Sequence, residues 1–150
     1  MYVDPVVVEL ISTNFLAVRV HVREQSEEFK RLGQRFDAQW TPTILLIDLE
    51  GTERHRIEGF LPRDDFLAQL TLGLGKSAFA HGNFAEAQRW YDAVLERYPE
   101  TDAAPEAQYW RGVAEYKETN DPAALAATAK RFTERYPDTS WAKKSSVWRS

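Results

Sequence analysis

The chain has 150 residues, of which 43% are hydrophobic and 28% charged, and it contains no cysteine. This length supports one sizeable domain or two very small ones, and the mixture is that of an ordinary soluble globular protein. The net charge of −4 disfavours nucleic acid as a partner, because binding phosphate requires a basic face. No apolar stretch approaches the roughly 20 residues that a membrane-spanning helix needs.

Several kinds of chemistry are excluded by the residue types present. Without cysteine there can be no disulfide framework, thiolate metal site or thiol nucleophile. The three histidines, His21, His55 and His81, lie far apart and lack the i, i+4 spacing of a helical metal pair. Phosphate loops and nucleophile elbows are also missing. We therefore predict no catalytic residue, no metal and no cofactor.

The chain opens with a helix and a strand. Asp4 and Pro5 are typical of an N-cap and a first helical position, and the helix is predicted to end at Asn14. The first segment, 1–5, lacks the basic region of a signal peptide, so a cytoplasmic location is expected. Apolar residues then alternate along Phe15–Val22, which predicts a strand.

A second helix is predicted from Gln25 to Phe36. The sequence Trp40-Thr41-Pro42-Thr43 then leads into an apolar strand, Ile44–Ile47. The turn residues Asp48-Leu49-Glu50-Gly51 separate this strand from another, Arg54–Gly59. Two strands joined by such a turn predict an antiparallel hairpin.

The second half of the sequence is predicted to be entirely helical. Asn83 and Glu86 have the spacing of a capping box, Pro105 is predicted to start the next helix, and Ser140 to cap the last. The predicted helices cover residues 62–80, 83–99, 105–119 and 121–137, with a short final helix from 140.

Three stretches between about Asp4 and Leu72 resemble the thioredoxin superfamily. They are Thr41-Pro42-Thr43 entering a strand, Asp48-Leu49-Glu50-Gly51 as a hairpin turn, and Arg56-Ile57-Glu58-Gly59-Phe60 before a helix. Their order and spacing match the second half of that family. The resemblance implies an α/β sheet, a cis bond before Pro42, and pairing of the backbone at Thr41 and Pro42 with an extended peptide.

The chain lacks the Cys-x-x-Cys segment of that family and the strand before it. The sheet is therefore predicted to be incomplete, because Phe15–Val22 would miss the neighbour between it and residues 43–48. Unpaired buried backbone groups are costly. Three outcomes stay open: the two strands pair directly, a second chain fills the gap, or the sequence is a piece of a longer protein. Because only Arg19 protects the valine-rich strand, we predict a homodimer formed through the incomplete sheet.

The segment from about Ala68 to Pro137 resembles two tetratricopeptide repeats. The endings Glu96-Arg97-Tyr98-Pro99 and Glu134-Arg135-Tyr136-Pro137 are duplicated, which indicates an internal repeat. The predicted organisation is a partial thioredoxin-like domain at residues 1–72, then two repeats and a capping helix at residues 68–150. The fold class is thus α/β followed by all-α, with one helix shared by both halves. The further residues that carry this resemblance are Leu74, Gly75, Gly82, Ala87, Tyr91, Val94, Ala107, Tyr109, Trp110, Gly112 and Tyr116.

The repeat resemblance implies a peptide-binding groove on the first helix of each repeat. Its surface is mostly apolar, and its single cation, Lys76, makes a ligand with a terminal carboxylate unexpected. For Tyr109 and Tyr116, packing against a capping helix with Trp141 and Trp148 is an open alternative. The predicted groove residues are Leu72, Lys76, Phe79, Tyr109, Val113 and Tyr116.

These observations favour a non-enzymatic module that binds a protein or peptide. A fragment of a thiol–disulfide oxidoreductase or co-chaperone, whose Cys-x-x-Cys half lies upstream, is the alternative. A purely structural subunit of a larger assembly cannot be separated from the first function by sequence.

Overall fold

The structure, a computed structural model, describes residues 3–149; the predicted domain limits at residues 1 and 150 and the start of the segment 1–5 lie outside this range. The described residues form an α/β segment followed by a helical array, which confirms the predicted fold class. None of the described helices is both long and apolar enough to cross a bilayer. The elements are α1 (Pro5–Asn14), α2 (Ser26–Phe36), β1 (Thr43–Ile47), β2 (Glu53–Glu58), α3 (Arg63–Ala80), α4 (Phe84–Arg97), α5 (Ala103–Thr119), α6 (Ala123–Arg135), α7 (Ser140–Ser145) and a 3-10 helix (Ser146–Trp148).

Helix α1 begins as the sequence predicts and is fastened to α3. The Asp4 carboxylate accepts hydrogen bonds from the backbone N–H groups of Val6, at 2.9 Å, and Val7, at 3.3 Å. The same side chain accepts from Arg63 Nε at 2.8 Å. Val7 is completely buried, so one face of α1 packs on the α/β core while the valines on either side of Val7 remain exposed.

The predicted strand Phe15–Val22 is wrong, because the structure has irregular chain there. Leu16 is 95% exposed and Val18 is 80% exposed, so the alternating apolar residues are not buried. A strand requires a neighbour for its backbone groups. In the described part of the chain β1 pairs with β2 alone, so direct pairing of residues 15–22 with β1 does not occur either.

The predicted hairpin is present. Ile44 lies opposite Ile57 in the antiparallel pair, and Leu46 lies opposite His55. The Asp48 carboxylate closes the turn by accepting from the backbone N–H groups of Glu50 and Thr52, at 3.1 and 2.9 Å.

Helix α2 is held mainly by polar contacts, since none of its residues is fully buried. Arg56 on β2 donates to the carbonyl oxygens of Phe36 and Asp37 at the end of α2. These bonds satisfy carbonyl groups that have no partner within the helix.

Helix α3 runs without a break through the region predicted to be shared by the two halves. Phe66 and Leu67 near its start belong to the α/β core, with Val7 from α1. Leu72 and Ala78 nearer its end belong to the core of the helical array. One helix therefore supplies side chains to both cores.

Small residues allow the array helices to approach closely. A Cβ atom at Gly75 would lie 2.5 Å from Cε1 of Tyr91, and one at Gly112 would lie 1.9 Å from Thr128 Oγ1. Both distances are shorter than non-bonded atoms tolerate, so any larger residue must displace its neighbour.

Three predicted helix starts differ in detail. The side chain of Asn83 makes no capping hydrogen bond, so the predicted capping box does not form. Helix α5 begins at Ala103, two residues before Pro105. Thr139 caps α7 in place of Ser140, because Thr139 Oγ1 is the atom that accepts from the Ala142 N–H, at 3.1 Å.

Candidate functional site

The hairpin lies against the side of α3 on which the groove was predicted. A Cβ atom at Gly73 would lie 2.2 Å from Leu46 Cδ2 and 3.2 Å from His55 Cβ, so the hairpin packs directly on the backbone of α3. The one sign of this contact in the sequence is Gly73. Glycine is a poor helix former and the repeat pattern does not require one here, so its presence indicates that another segment packs closely on the helix. We did not predict that the hairpin would occupy this position.

Two of the predicted groove residues are engaged by contacts within the protein. Leu72 has no exposed surface and is a core residue, which corrects its placement in the groove. The Lys76 ammonium lies 3.3 Å from Glu106 Oε1 on α5 and donates to His55 Nδ1 at 3.3 Å. Lys76 therefore links the hairpin, α3 and α5.

His55 is the buried centre of this link. Its Nε2 donates to Gln69 Oε1 at 2.7 Å, which leaves Nδ1 to accept from Lys76. Burial, and then the positive charge of Lys76, lower the pKa of His55 below its usual value. The imidazole is thus held in its neutral form near neutral pH.

Tyr109 packs against the C-terminal helices. Its ring stacks on Trp148, with centroids 4.8 Å apart, and lies 5.2 Å from Trp141. Of the two arrangements left open for Tyr109 by the sequence, the structure has the packing one. The ammonium of Lys144 sits 3.9 Å from the Trp141 ring centroid on the same cap.

The remaining predicted groove residues keep part of their side chains exposed. Phe79 on α3 packs edge-on against Phe84, at 5.2 Å, and Trp110, at 5.3 Å. Val113 and Tyr116 on α5 are half-buried. These three are therefore the apolar groove residues of the prediction that remain partly exposed on the two helices.

The loop before β1 carries the other predicted site. The peptide bond between Thr41 and Pro42 is cis. The Pro42 carbonyl accepts from the Gly59 N–H at 2.8 Å, which joins this loop to the end of β2. Trp40 and Phe60, which flank the two joined segments, are 68% and 87% exposed.

The fold brings together three side chains that carry metal-binding atoms: Asp48, Glu50 and His81. One such atom from each lies within 4.8 Å of the other two, although 31 positions in the sequence separate His81 from Glu50. The carboxylate of Glu50, followed by the Ser77 carbonyl, raises the pKa of His81. Sequence reasoning missed this cluster because no local spacing connects a hairpin turn to the end of a distant helix.

Comparison with protein families matches both parts of the chain. Residues 3–73 match the model of a thioredoxin-like domain, and residues 72–139 match that of a tetratricopeptide repeat. The corresponding searches match no curated protein and no solved structure. The two family matches support a role in protein interaction. The family models thus find a thioredoxin-like domain in the first half of the chain and a tetratricopeptide repeat in the second.

Proposed function

We propose that this chain is a non-enzymatic interaction module whose repeats bind an apolar peptide segment. The observation that carries the proposal is that three apolar groove residues stay partly exposed on the first helices of the two repeats: Phe79 on α3, and Val113 and Tyr116 on α5. Side chains that are partly exposed and already ordered by packing lose little conformational entropy on binding. Such a surface suits one or two large apolar side chains of a partner.

The charged groups beside this surface support an apolar ligand over a terminal carboxylate. Lys76 is already engaged by Glu106 and His55. A carboxylate ligand would have to displace Glu106 from this partly buried pair and would leave that acid without its partner. Binding would therefore depend on apolar contact.

Selection of displayed peptides on the full chain, followed by fluorescence-polarisation titration, tests this proposal. We expect Val113→Asp to weaken the selected peptide at least about tenfold, because it buries a charge at the apolar contact. Val8→Asp, at a half-exposed valine on α1, is the matched control and should bind as the original chain does. Equal affinity in the two variants, with unchanged circular dichroism, would place the peptide elsewhere.

The non-enzymatic part of the proposal rests on the residue types. Thiol–disulfide exchange proceeds through a mixed disulfide, and this sequence has no thiol to form one. We expect no insulin-reductase or isomerase activity above a protein-free blank that contains the same reductant. Turnover that scales with protein concentration would refute this.

A second candidate, part of a thiol–disulfide oxidoreductase or co-chaperone, is favoured by the exposed aromatic pair beside Thr41 and Pro42. Trp40 and Phe60 would flank a peptide laid along this loop. Sequencing the genomic DNA upstream of the first codon distinguishes the candidates. An in-frame Cys-x-x-Cys supports the redox protein, and a stop codon with a ribosome-binding site supports the interaction module.

We also propose that two copies pair through the incomplete sheet. In the described residues β1 has a strand neighbour on one edge, and Leu16 and Val18, in the segment before α2, are highly exposed. Pairing would cover apolar surface that is costly to leave in water. Sedimentation equilibrium should give twice the chain mass of 17.3 kDa, and Val18→Lys should halve it. A monomer at micromolar concentration would overturn the proposed dimer.

We also propose that the chain is located in the cytoplasm, and cell fractionation would test this location.

A further inference from the structure

Three side chains with metal-binding atoms meet where the hairpin turn touches the end of α3. His81 Nε2 lies 3.0 Å from Glu50 Oε2 and 3.7 Å from Asp48 Oδ2. All three atoms lie within 4.8 Å of one another. Ligands about 2.0–2.2 Å from a tetrahedral zinc ion are roughly 3.3–3.5 Å apart. The observed distances lie on both sides of this range, so small side-chain rotations would complete the geometry.

The other nitrogen of His81 determines what faces the two carboxylates. His81 Nδ1 lies 2.7 Å from the Ser77 carbonyl oxygen, which can only accept a hydrogen bond. Nδ1 therefore carries a hydrogen, and Nε2 is the ring atom that faces Asp48 and Glu50, as an N–H donor in the protonated ring and with its lone pair in the neutral ring. Nε2 and the two carboxylate oxygens therefore face one another, and either a proton on Nε2 or a metal cation between them removes their mutual repulsion. A histidine that donates its second N–H to a backbone carbonyl is also the usual arrangement of a metal ligand.

Asp48 is fixed in position before any ligand binds. One carboxylate oxygen accepts from the Glu50 and Thr52 N–H groups, at 3.1 and 2.9 Å, and the other accepts from Arg54 Nε at 2.6 Å. A carboxylate oxygen has two lone pairs, so the oxygen bound by Arg54 can also take a cation. The aspartate side chain is 3% exposed and would lose little freedom on binding.

We propose that Asp48, Glu50 and His81 form a Zn²⁺ site that fastens the hairpin turn to the end of α3. One imidazole and two carboxylates suit zinc better than magnesium or calcium, which prefer oxygen ligands alone. Three protein ligands leave a fourth position for water. The ion joins residues 48–50 of the thioredoxin-like half to the helix that begins the repeats. This site is separate from the peptide-binding surface and does not depend on it.

Calorimetric titration of the full chain with ZnCl₂, in a buffer that does not chelate zinc, tests the site. We expect one saturable site, loss of at least about tenfold in affinity for His81→Ala, and a smaller loss for Glu50→Gln. His21→Ala is the matched control, because His21 lies on a different segment, and it should bind zinc as the original chain does. Zinc should also raise the melting temperature of the original chain and not that of His81→Ala.

Two results would overturn the site. If the original chain shows no saturable binding, a proton occupies the position between His81 and the carboxylates. If His81→Ala binds zinc as well as the original chain, the ion is held elsewhere on the surface. The absorption of bound Co²⁺ adds a check on geometry, because a tetrahedral site gives an intense band that is lost in His81→Ala.

Discussion

The two halves of the molecule differ in how fully they bury their apolar side chains. In the repeats, Tyr91, Val94 and Phe132 are fully buried by helices that are near neighbours in sequence. In the thioredoxin-like half, Leu16 and Val18 remain exposed and α2 buries no residue fully. A helical hairpin can assemble its core from a short stretch of chain, whereas a sheet needs strands that are distant in sequence. The two-stranded sheet of the described residues therefore leaves apolar side chains in its half exposed, whereas the repeats bury theirs.

The largest expected effect comes from disrupting the better-packed half at Gly75. Gly75→Leu should lower the free energy of unfolding by about 3 kcal/mol or more, because its side chain would overlap the Tyr91 ring. Urea denaturation measures the change. Ala80→Leu, at an exposed position on the same helix, should stay within about 0.5 kcal/mol. Similar losses in both variants would mean that close approach at Gly75 is not the cause.

Two completely buried valines compare the halves directly. Val94→Ala in the repeat core should cost about 2 kcal/mol, from the lost transfer energy and the cavity that remains. Val7→Ala should cost about 1 kcal/mol, because Leu10 and Ile11 beside it are only partly buried and can close the space. Equal losses in urea denaturation would show that the thioredoxin-like core is as rigid as the repeat core.

The link between the halves should make stability depend on pH through His55. An unfolded histidine has a pKa of about 6.5, and burial lowers the pKa of His55 in the folded chain. As the pH falls below the unfolded value, the unfolded chain takes up a proton that the folded chain refuses, so stability decreases. Urea denaturation between pH 8 and pH 5.5 should show this loss in the original chain and a smaller one in His55→Gln. Parallel curves for the two proteins would contradict it.

The smallest effect is expected at the cap of the repeat half. Lys144→Ala should cost about 0.5 kcal/mol by removing the cation above the Trp141 ring. Lys143→Ala, one residue earlier and also exposed, removes the same charge but leaves the contact of Lys144 with the Trp141 ring in place, so it should cost less. Urea denaturation curves of the two variants, measured side by side, can resolve this difference in stability. Equal losses in the two variants would mean that the loss comes from removing a positive charge and not from the contact with the Trp141 ring.

The sequence predicted correctly the elements that depend on interactions between residues close together in the chain. The helices of the repeats and the shared helix α3 depend on periodicity over a few turns, which is visible in one sequence. The strand Phe15–Val22 was predicted from the same local pattern and failed, because strand formation depends on a neighbour that local pattern does not reveal. Leu72 was placed in the groove from its repeat position, but it is fully buried in the core of the helical array, because burial depends on how distant helices pack around it.

The continuous helix α3 has a consequence for any attempt to separate or exchange the two parts. The family matches meet at residues 72 and 73, in the middle of this helix. A cut there would leave unpaired carbonyl groups on one fragment and unpaired N–H groups on the other, and each piece would keep half of a shared hydrophobic surface. An exchange of either part with another protein would succeed only if the whole helix Arg63–Ala80 were kept together with the elements that pack on it from both cores. A design that exchanges either part therefore has to keep this helix and both of its packing surfaces together.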